Sequence, residues 1–162
     1  MRATRAAADR IVLRGAPDRV MPSDQHPRSA PPRILIVEDH ELNMKLLNDL
    51  LEAHGYDILQ AREGLAALRL AQHHHPDLIL LDIQLPDISG LQAARLLKAD
   101  ERTRDIPIVA VTAFAMAGDR QRTLDAGCDA YLAKPIMLRE FLRLIEELLG
   151  GAPGLHPGPS CC

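Results

Sequence analysis

The chain has 162 residues, of which 47% are hydrophobic and 25% charged, and this predicts one ordinary globular domain whose core is aliphatic, since tryptophan is absent. No apolar run approaches the roughly 18 residues of a membrane span and no signal-peptide core is visible, so we expect a soluble protein without membrane insertion. Residues 33–149 carry 13 Lys or Arg and 19 Asp or Glu, and this acidic balance argues against a nucleic-acid partner.

The two ends of the chain lack the periodicity of helices or strands. Residues 1–32 hold six Arg against three Asp and become rich in Pro and Ser from residue 17 onward, which predicts a disordered N-terminal arm. Within the arm, residues 3–13 have the pattern of a short helix. Met21 is an alternative start, which would remove residues 1–20 from the natural protein. Residues 150–162 predict a disordered tail.

The cysteines bear on the compartment. Cys128, Cys161 and Cys162 do not make a disulfide framework, so we expect a reducing environment, the cytoplasm. We interpret Cys161 and Cys162 as part of a free end rather than a lipidated pair, because no other feature favours membrane attachment. Cys128 is expected to be a small buried thiol.

Between the ends, strands and helices alternate. In chain order, apolar runs predict strands at residues 34–37, 56–61, 78–82, 108–111 and 130–133. Longer periodic stretches predict helices at residues 41–54, 64–74, 90–99, 118–126 and 138–149. The first helix carries one apolar stripe made of Leu46, Leu47, Leu50 and Leu51. The fourth helix, in the polar stretch GDRQRTLDAG, has the fewest apolar residues that could be buried.

Five strands alternating with five helices predict an α/β fold with a parallel sheet covered on both faces. Because parallel strands are joined by right-handed crossovers, few topologies remain at this size. The commonest is the doubly wound, flavodoxin-like sheet of strand order 2-1-3-4-5.

Polar residues follow four of these strands, and such residues meet at the carboxyl edge of a parallel sheet. They are Glu38 with Asp39, Asp82, Thr112 and Lys134. Three crowded carboxylates repel one another unless a cation lies among them, and all-oxygen ligands suit Mg²⁺. A phosphoryl group would fit between the metal and Lys134, with Thr112 donating a hydrogen bond. Asp82, central in the sheet, would be the nucleophile.

Each of these residues also has an ordinary structural interpretation. A lone Asp at a strand end more often caps a turn or helix, and Glu38 with Asp39 could cap the helix at residue 41. The agreement of all four strand ends favours a functional site. His73, His74 and His75 do not favour a metal, because consecutive helical residues cannot all face one ion.

The motifs ILIVED, LILLDIQLPDISG, VAVTAFA and AYLAKPI, within residues 33–149, closely resemble the receiver domain of bacterial two-component response regulators. This resemblance implies a CheY-like fold. The stretches ILIVEDHELNMKLLNDLLEAHGY and VTAFAMAGD are most similar to single-domain cell-cycle regulators of that family.

The resemblance also implies a role for each matching residue of the metal site. Asp82 would be the phosphoacceptor and Asp39 a direct Mg²⁺ ligand. Glu38 would act mostly through water, and the backbone carbonyl of Gln84 would complete the site. Lys134 would neutralise phosphate charge.

Four further implications concern switching and phosphate lifetime. Thr112 would move toward the phosphoryl group and Tyr131 would turn inward after it. The Lys134–Pro135 peptide bond would be cis. Gln84 and Phe114 flank the reaction centre and would tune the lifetime of the phosphate, although Phe114 has the alternative role of an aromatic residue that orders its loop by packing.

The function expected from this pattern is a single-domain response regulator, not an enzyme beyond Mg²⁺-dependent self-phosphorylation and autodephosphorylation. It would take phosphate from a sensor histidine kinase or phosphotransferase and act on a downstream protein, as a monomer or weak dimer. Because 13 residues follow Leu149 in this sequence, we expect no output domain on this chain. Two alternatives stay open. An aspartate-nucleophile phosphatase of the haloacid-dehalogenase kind needs a second Asp where Gln84 stands, and a pseudo-receiver would work without phosphate.

Overall fold

The structure is a computed structural model that describes residues 11–13, 30–113 and 118–150. Its centre is a six-stranded sheet. The strands are β1 (Ile11–Leu13), β2 (Arg33–Val37), β3 (Asp57–Ala61), β4 (Leu78–Asp82), β5 (Ile108–Thr112) and β6 (Ala130–Ala133). The described residues also form the helices α1 (Glu41–Ala53), α2 (Gly64–His74), α3 (Gly90–Ala99), α4 (Asp119–Asp125) and α5 (Leu138–Leu148).

The spatial order of the sheet is β1-β6-β5-β4-β2-β3. Strands β2 to β6 are all parallel, while β1 is antiparallel to β6. Counted among themselves, the five parallel strands have the order 2-1-3-4-5, so the predicted flavodoxin-like, CheY-like fold is confirmed. Each of the five predicted strands and five predicted helices agrees with its observed counterpart to within one residue at both ends.

The core has two layers because alternate residues of each strand face opposite sides of the sheet. Ile34 and Leu80 belong to the layer that holds buried residues of α1 and α5, and Leu35 and Leu81 to the layer that holds those of α2 and α3. Every residue of β4 and β5 is buried, as expected for continuous apolar runs in a doubly covered sheet. Cys128 is fully buried, which confirms the prediction of a small buried thiol.

The stripe predicted on the first helix was wrong at one position. Leu47 and Leu51 are buried and Leu50 packs against the same cluster, but Leu46 is 67% exposed. Each residue turns the helix by about 100°, so a stripe that contains Leu47 and Leu51 takes Met44 rather than Leu46 as its further member.

The arm contains a strand where a helix was expected. Ile11–Leu13 pairs with β6 in the register Ile11↔Leu132, Val12↔Tyr131 and Leu13↔Ala130. Two β-branched residues favour an extended backbone, and the otherwise open edge of β6 supplies hydrogen-bond partners that the sequence pattern could not indicate. Residues 1–10 and 14–29 of the predicted arm, which include most of the predicted helix at residues 3–13, lie outside the described residues, as do residues 151–162 of the predicted tail.

Among the residues that the structure describes, no helix is both long enough and apolar enough to cross a membrane.

Candidate functional site

The predicted polar residues do meet at the carboxyl edge of the sheet. The pairings Val37↔Leu81, Asp82↔Val111 and Thr112↔Ala133 bring the ends of β2, β4, β5 and β6 to one level. Glu38 and Lys134 are the next residues after β2 and β6. The local fold therefore brings three strand-end carboxylates, a hydroxyl and an ammonium to one edge.

Lys134 joins two of the carboxylates directly. Its Nζ lies 3.0 Å from Glu38 Oε2 and 3.4 Å from Asp82 Oδ2. Glu38 is 2% exposed and Asp82 is 7% exposed, so both charges are largely removed from water. A buried carboxylate needs a cation nearby, and here one ammonium serves two of them.

The third carboxylate completes a cluster that suits a metal ion. Oxygen atoms of Glu38, Asp39 and Asp82 lie within 4.8 Å of one another, and Asp39 is exposed to solvent. Hard oxygen donors at the mouth of a site, with room for water, are the donor set that Mg²⁺ prefers. His73, His74 and His75 are exposed and take no part in this cluster, and His73 Nδ1 lies 2.9 Å from the backbone carbonyl oxygen of Arg69.

Burial and the neighbouring charges shift two pKa values. Burial raises the pKa of Asp82 to about 6; the backbone N–H of Gln84 opposes the rise, and the charge of Glu38 adds to it. Burial by itself lowers the pKa of Lys134, but its bonds and charge attraction to Glu38 and Asp82 outweigh this and raise the pKa overall. In the folded protein without a metal, ionisation of Asp82 therefore has an appreciable free-energy cost.

The loop after Asp82 is fixed by backbone contacts. The Gln84 N–H donates to Asp82 Oδ1 at 3.1 Å, and the Gly90 N–H donates to the carbonyl of Ile83 at 2.8 Å. A Cβ on Gly90 would lie 2.2 Å from the carbonyl oxygen of Asp82, so only glycine fits there. The side chain of Gln84 is exposed.

Asp87 is a contributor to the site that sequence reasoning missed. Its carboxylate accepts hydrogen bonds from the backbone N–H groups of Gly64 at 2.8 Å and Leu65 at 2.9 Å, at the start of α2. These bonds, led by that of Leu65, lower the pKa of Asp87 to about 2. Asp87 thereby ties the loop after Asp82 to a neighbouring helix. The only signal in the sequence is an Asp within a turn-rich stretch.

The residues expected to switch, Thr112 and Tyr131, lie on β5 and β6. The Lys134 N–H donates to the carbonyl of Thr112 at 2.7 Å, and the Lys134–Pro135 bond is cis as expected. Thr112 and Tyr131 are each 2% exposed. Burial, with the charge of Asp119, raises the pKa of Tyr131. Phe114 lies outside the described residues.

Residues 34–146 match the family model described as the response regulator receiver domain. The chain belongs to the response regulator receiver family. Curated relatives include a polar-differentiation response regulator DivK of Brucella ovis, 56% identical over 119 residues that cover 74% of this chain and 97% of the relative. The DivK of Brucella anthropi is 54% identical over 122 residues, which cover 75% and 99% of the two chains.

Solved receiver structures have the same fold. The receiver domain of a sensor histidine kinase from Pseudomonas aeruginosa is 38% identical, with a TM-score of 0.70, over 75% of this chain and 99% of that one. It was solved with a magnesium ion coordinated in its active-site cleft. A CheY-like receiver from Methanospirillum hungatei is 31% identical, with a TM-score of 0.69, over 76% and 97% of the two chains. As a receiver, this chain is a signalling protein and not a conventional enzyme.

Proposed function

We propose that this chain is a single-domain response regulator whose Asp82 accepts a phosphoryl group in a Mg²⁺-dependent reaction. The observation that carries the proposal is the joint position of Asp82, Glu38 and Asp39, with Lys134 bonded to the first two. Residues 33–149 would be the receiver domain, preceded by the arm and followed by the tail. The sequence also carries no Asp at position 84, which a haloacid-dehalogenase type phosphatase would need.

The proposed reaction is a displacement at phosphorus. A carboxylate oxygen of Asp82 forms a bond to the phosphorus atom while the bond from phosphorus to the donor breaks. The donor is a phosphohistidine of a kinase or phosphotransferase, or a small acyl phosphate such as acetyl phosphate. In autodephosphorylation, water attacks the same phosphorus atom, so that inorganic phosphate leaves and the Asp82 carboxylate is restored.

The metal would be held by Asp39, Asp82 and the backbone carbonyl of Gln84, with Glu38 acting through water. When bound, Mg²⁺ supplies positive charge that offsets the repulsion between the carboxylates and the incoming phosphoryl oxygens. Lys134 neutralises phosphate charge from the other side of Asp82. Because Lys134 already lies 3.4 Å from Asp82 Oδ2, it needs only a small movement to do so.

Switching would be a two-state equilibrium that phosphate shifts. The Thr112 hydroxyl donates a hydrogen bond to a phosphoryl oxygen in one state, and Tyr131, which is already buried at 2% exposed, then moves toward the space that Thr112 leaves. Gln84 and Phe114 would tune phosphate lifetime by controlling the approach of water. Both states exist before phosphorylation, so partner binding depends on the fraction of molecules that are in the binding-competent state.

The partners follow from the family and from its named relatives. A sensor histidine kinase or phosphotransferase supplies phosphate in the cytoplasm, and a downstream protein recognises the phosphorylated state. The relatives' name, polar-differentiation response regulator, supports a role in cell-cycle or division control for this chain too. The regulator would act as a monomer or weak dimer.

The test is phosphorylation of the purified full chain by acetyl phosphate with Mg²⁺, followed by intact-protein mass spectrometry. We expect wild type to gain the mass of one phosphoryl group, and Asp82→Asn and Asp39→Asn to gain none. Asp49→Asn, which removes an exposed carboxylate on α1, is the matched control and should behave as wild type. A wild-type protein that binds Mg²⁺ but accepts no phosphate from acetyl phosphate or from a phosphorylated kinase would be a pseudo-receiver.

A further inference from the structure

The outer edge of the sheet at β6 has the character of an association site. β6 has the sequence AYLA, all four residues are buried, and none of them is charged. One side of the strand is paired with β5. A strand without a partner on its other side presents unpaired N–H and C=O groups, and an edge without charge has little to keep another chain away.

In this protein the outer side of β6 is covered by the chain's own arm. The three residues of β1 face three of the four residues of β6, from Ile11↔Leu132 to Leu13↔Ala130. A three-residue strand makes only a few backbone hydrogen bonds, each of which contributes little net free energy. The cover therefore spans most of β6 but is weak enough to be removed.

The length of the chain permits this pairing within one molecule. β1 and β2 are four strand spacings apart in the sheet, about 19 Å at the usual separation of strands. Residues 14–32 connect them and span up to roughly 60 Å when extended. The arm can therefore reach its own β6 without strain.

The DivK relatives of Brucella have no room for such an arm. The match with the protein of Brucella ovis covers 97% of that relative, and the match with that of Brucella anthropi covers 99%. The few residues left over in those proteins are far fewer than the 32 that precede the receiver domain proposed here. The cover on β6 is thus a property of this chain, in addition to the fold that it shares with them.

We propose that β1 is an intramolecular cap that closes the β6 edge against a second copy of the chain. When β1 is removed, the edges of two molecules become free to pair about a twofold axis, since an uncharged edge is complementary to itself. The cap acts on association and does not depend on phosphorylation of Asp82, so its test is independent of the proposed phosphotransfer.

Two variants remove the cap in different ways. Val12→Pro combined with Leu13→Pro places proline at two adjacent positions of β1. The N–H groups of adjacent residues in an antiparallel strand point to opposite sides. One of the two prolines therefore removes an N–H that faces β6. A chain that begins at Met21 lacks β1 altogether and keeps β2 to α5, so the test stands even if the proline variant folds poorly. Arg19→Pro combined with Val20→Pro adds the same two prolines outside β1 and serves as the control.

Two measurements decide the matter. Amide hydrogen exchange reports whether residues 130–133 are paired on their outer side, and sedimentation velocity over a range of micromolar concentrations reports association. We expect the full chain and the control to be monomeric, with slow exchange at residues 130–132, which β1 covers. Both capless variants should exchange about tenfold faster or more at alternate residues of β6 when dilute, and should form dimers as concentration rises.

Equal exchange in the full chain and the capless variants would overturn the proposal, because β1 would then not be paired with β6. Fast exchange in capless variants that stay monomeric at every concentration would also overturn it, because the edge would be open and yet not associate. Dimers in the proline control would do the same, since the effect would not depend on β1.

Discussion

The carboxyl group of Asp82 is the proposed phosphoacceptor, and its ionisation in a buried position lowers the stability of the metal-free protein. It is 7% exposed and lies beside another buried carboxylate, Glu38, with one ammonium shared between them. Burial raises its pKa to about 6, whereas the unfolded chain leaves it near 3.8. Well below the unfolded pKa the group is protonated in both states, but above pH 6 the folded state must keep it charged. The metal-free protein therefore loses free energy of unfolding as pH rises through this window.

Asp82→Asn should remove that cost. In the presence of EDTA at about pH 7.5, we expect the variant to exceed wild type in free energy of unfolding by about 1–3 kcal/mol. The difference should vanish at about pH 3, where wild-type Asp82 is neutral in both the folded and the unfolded chain. Urea unfolding at the two pH values checks this, and a variant that is less stable than wild type at the higher pH would contradict it.

Lys134→Met should do the opposite, because it leaves Glu38 and Asp82 buried without their ammonium. We expect a loss of about 2–4 kcal/mol in free energy of unfolding without metal, part of which Mg²⁺ restores. Lys45→Met breaks the exposed ion pair with Asp49 and should cause no measurable loss. Equal effects of the two substitutions in urea unfolding would refute the view that burial makes the Lys134 contacts different.

At the scale of the element, the loop between β4 and α3 positions the acceptor. Gly90 lies where any Cβ would meet the backbone of Asp82 at 2.2 Å. Gly90→Ala should therefore displace the loop, lower the free energy of unfolding by about 2–4 kcal/mol and slow phosphorylation by acetyl phosphate. Gly118→Ala is the matched control, because a Cβ there meets nothing within 4 Å. A Gly90→Ala protein as stable and as reactive as the control would contradict the proposed constraint.

Local pattern predicted most elements because each has a periodic apolar face of its own. β4 is a run of buried aliphatics and α2 begins and ends at the predicted residues. β1 escaped prediction because a three-residue strand has almost no pattern and takes its partner from residues 130–132, more than a hundred positions away. Asp87 was missed for the same reason, since its partners on α2 lie more than 20 residues earlier in the chain.

At the scale of the whole molecule, a metal at the edge of the sheet should stabilise the entire domain. Mg²⁺ that binds only the folded state raises the free energy of unfolding by about 1.4 kcal/mol at ten times its Kd. Asp39→Asn should abolish most of this rise. Because Asp39 is exposed, the substitution alone should leave metal-free stability nearly unchanged. Thermal unfolding with and without Mg²⁺ tests this, and an equal Mg²⁺ response in the variant would exclude Asp39 as a ligand.

The site itself was predictable because parallel strands bring their carboxyl ends together, so residues 38, 82, 112 and 134 had to meet. The sequence did not predict that Lys134 would bond to Glu38 more closely than to Asp82, or that Asp39 would remain exposed while Glu38 is buried. These features depend on side-chain packing across three different strands.

Asp82 is the proposed phosphoacceptor, and trapping of the acyl phosphate tests this assignment directly. The full chain is incubated with acetyl phosphate and Mg²⁺, reduced with borohydride, which converts an aspartyl phosphate to homoserine, and digested for peptide mass mapping. We predict that the reduced residue is at position 82 and that none is found when Mg²⁺ is replaced by EDTA. A reduced residue at Asp39 or at Glu38, or modification that does not need the metal, would contradict the account.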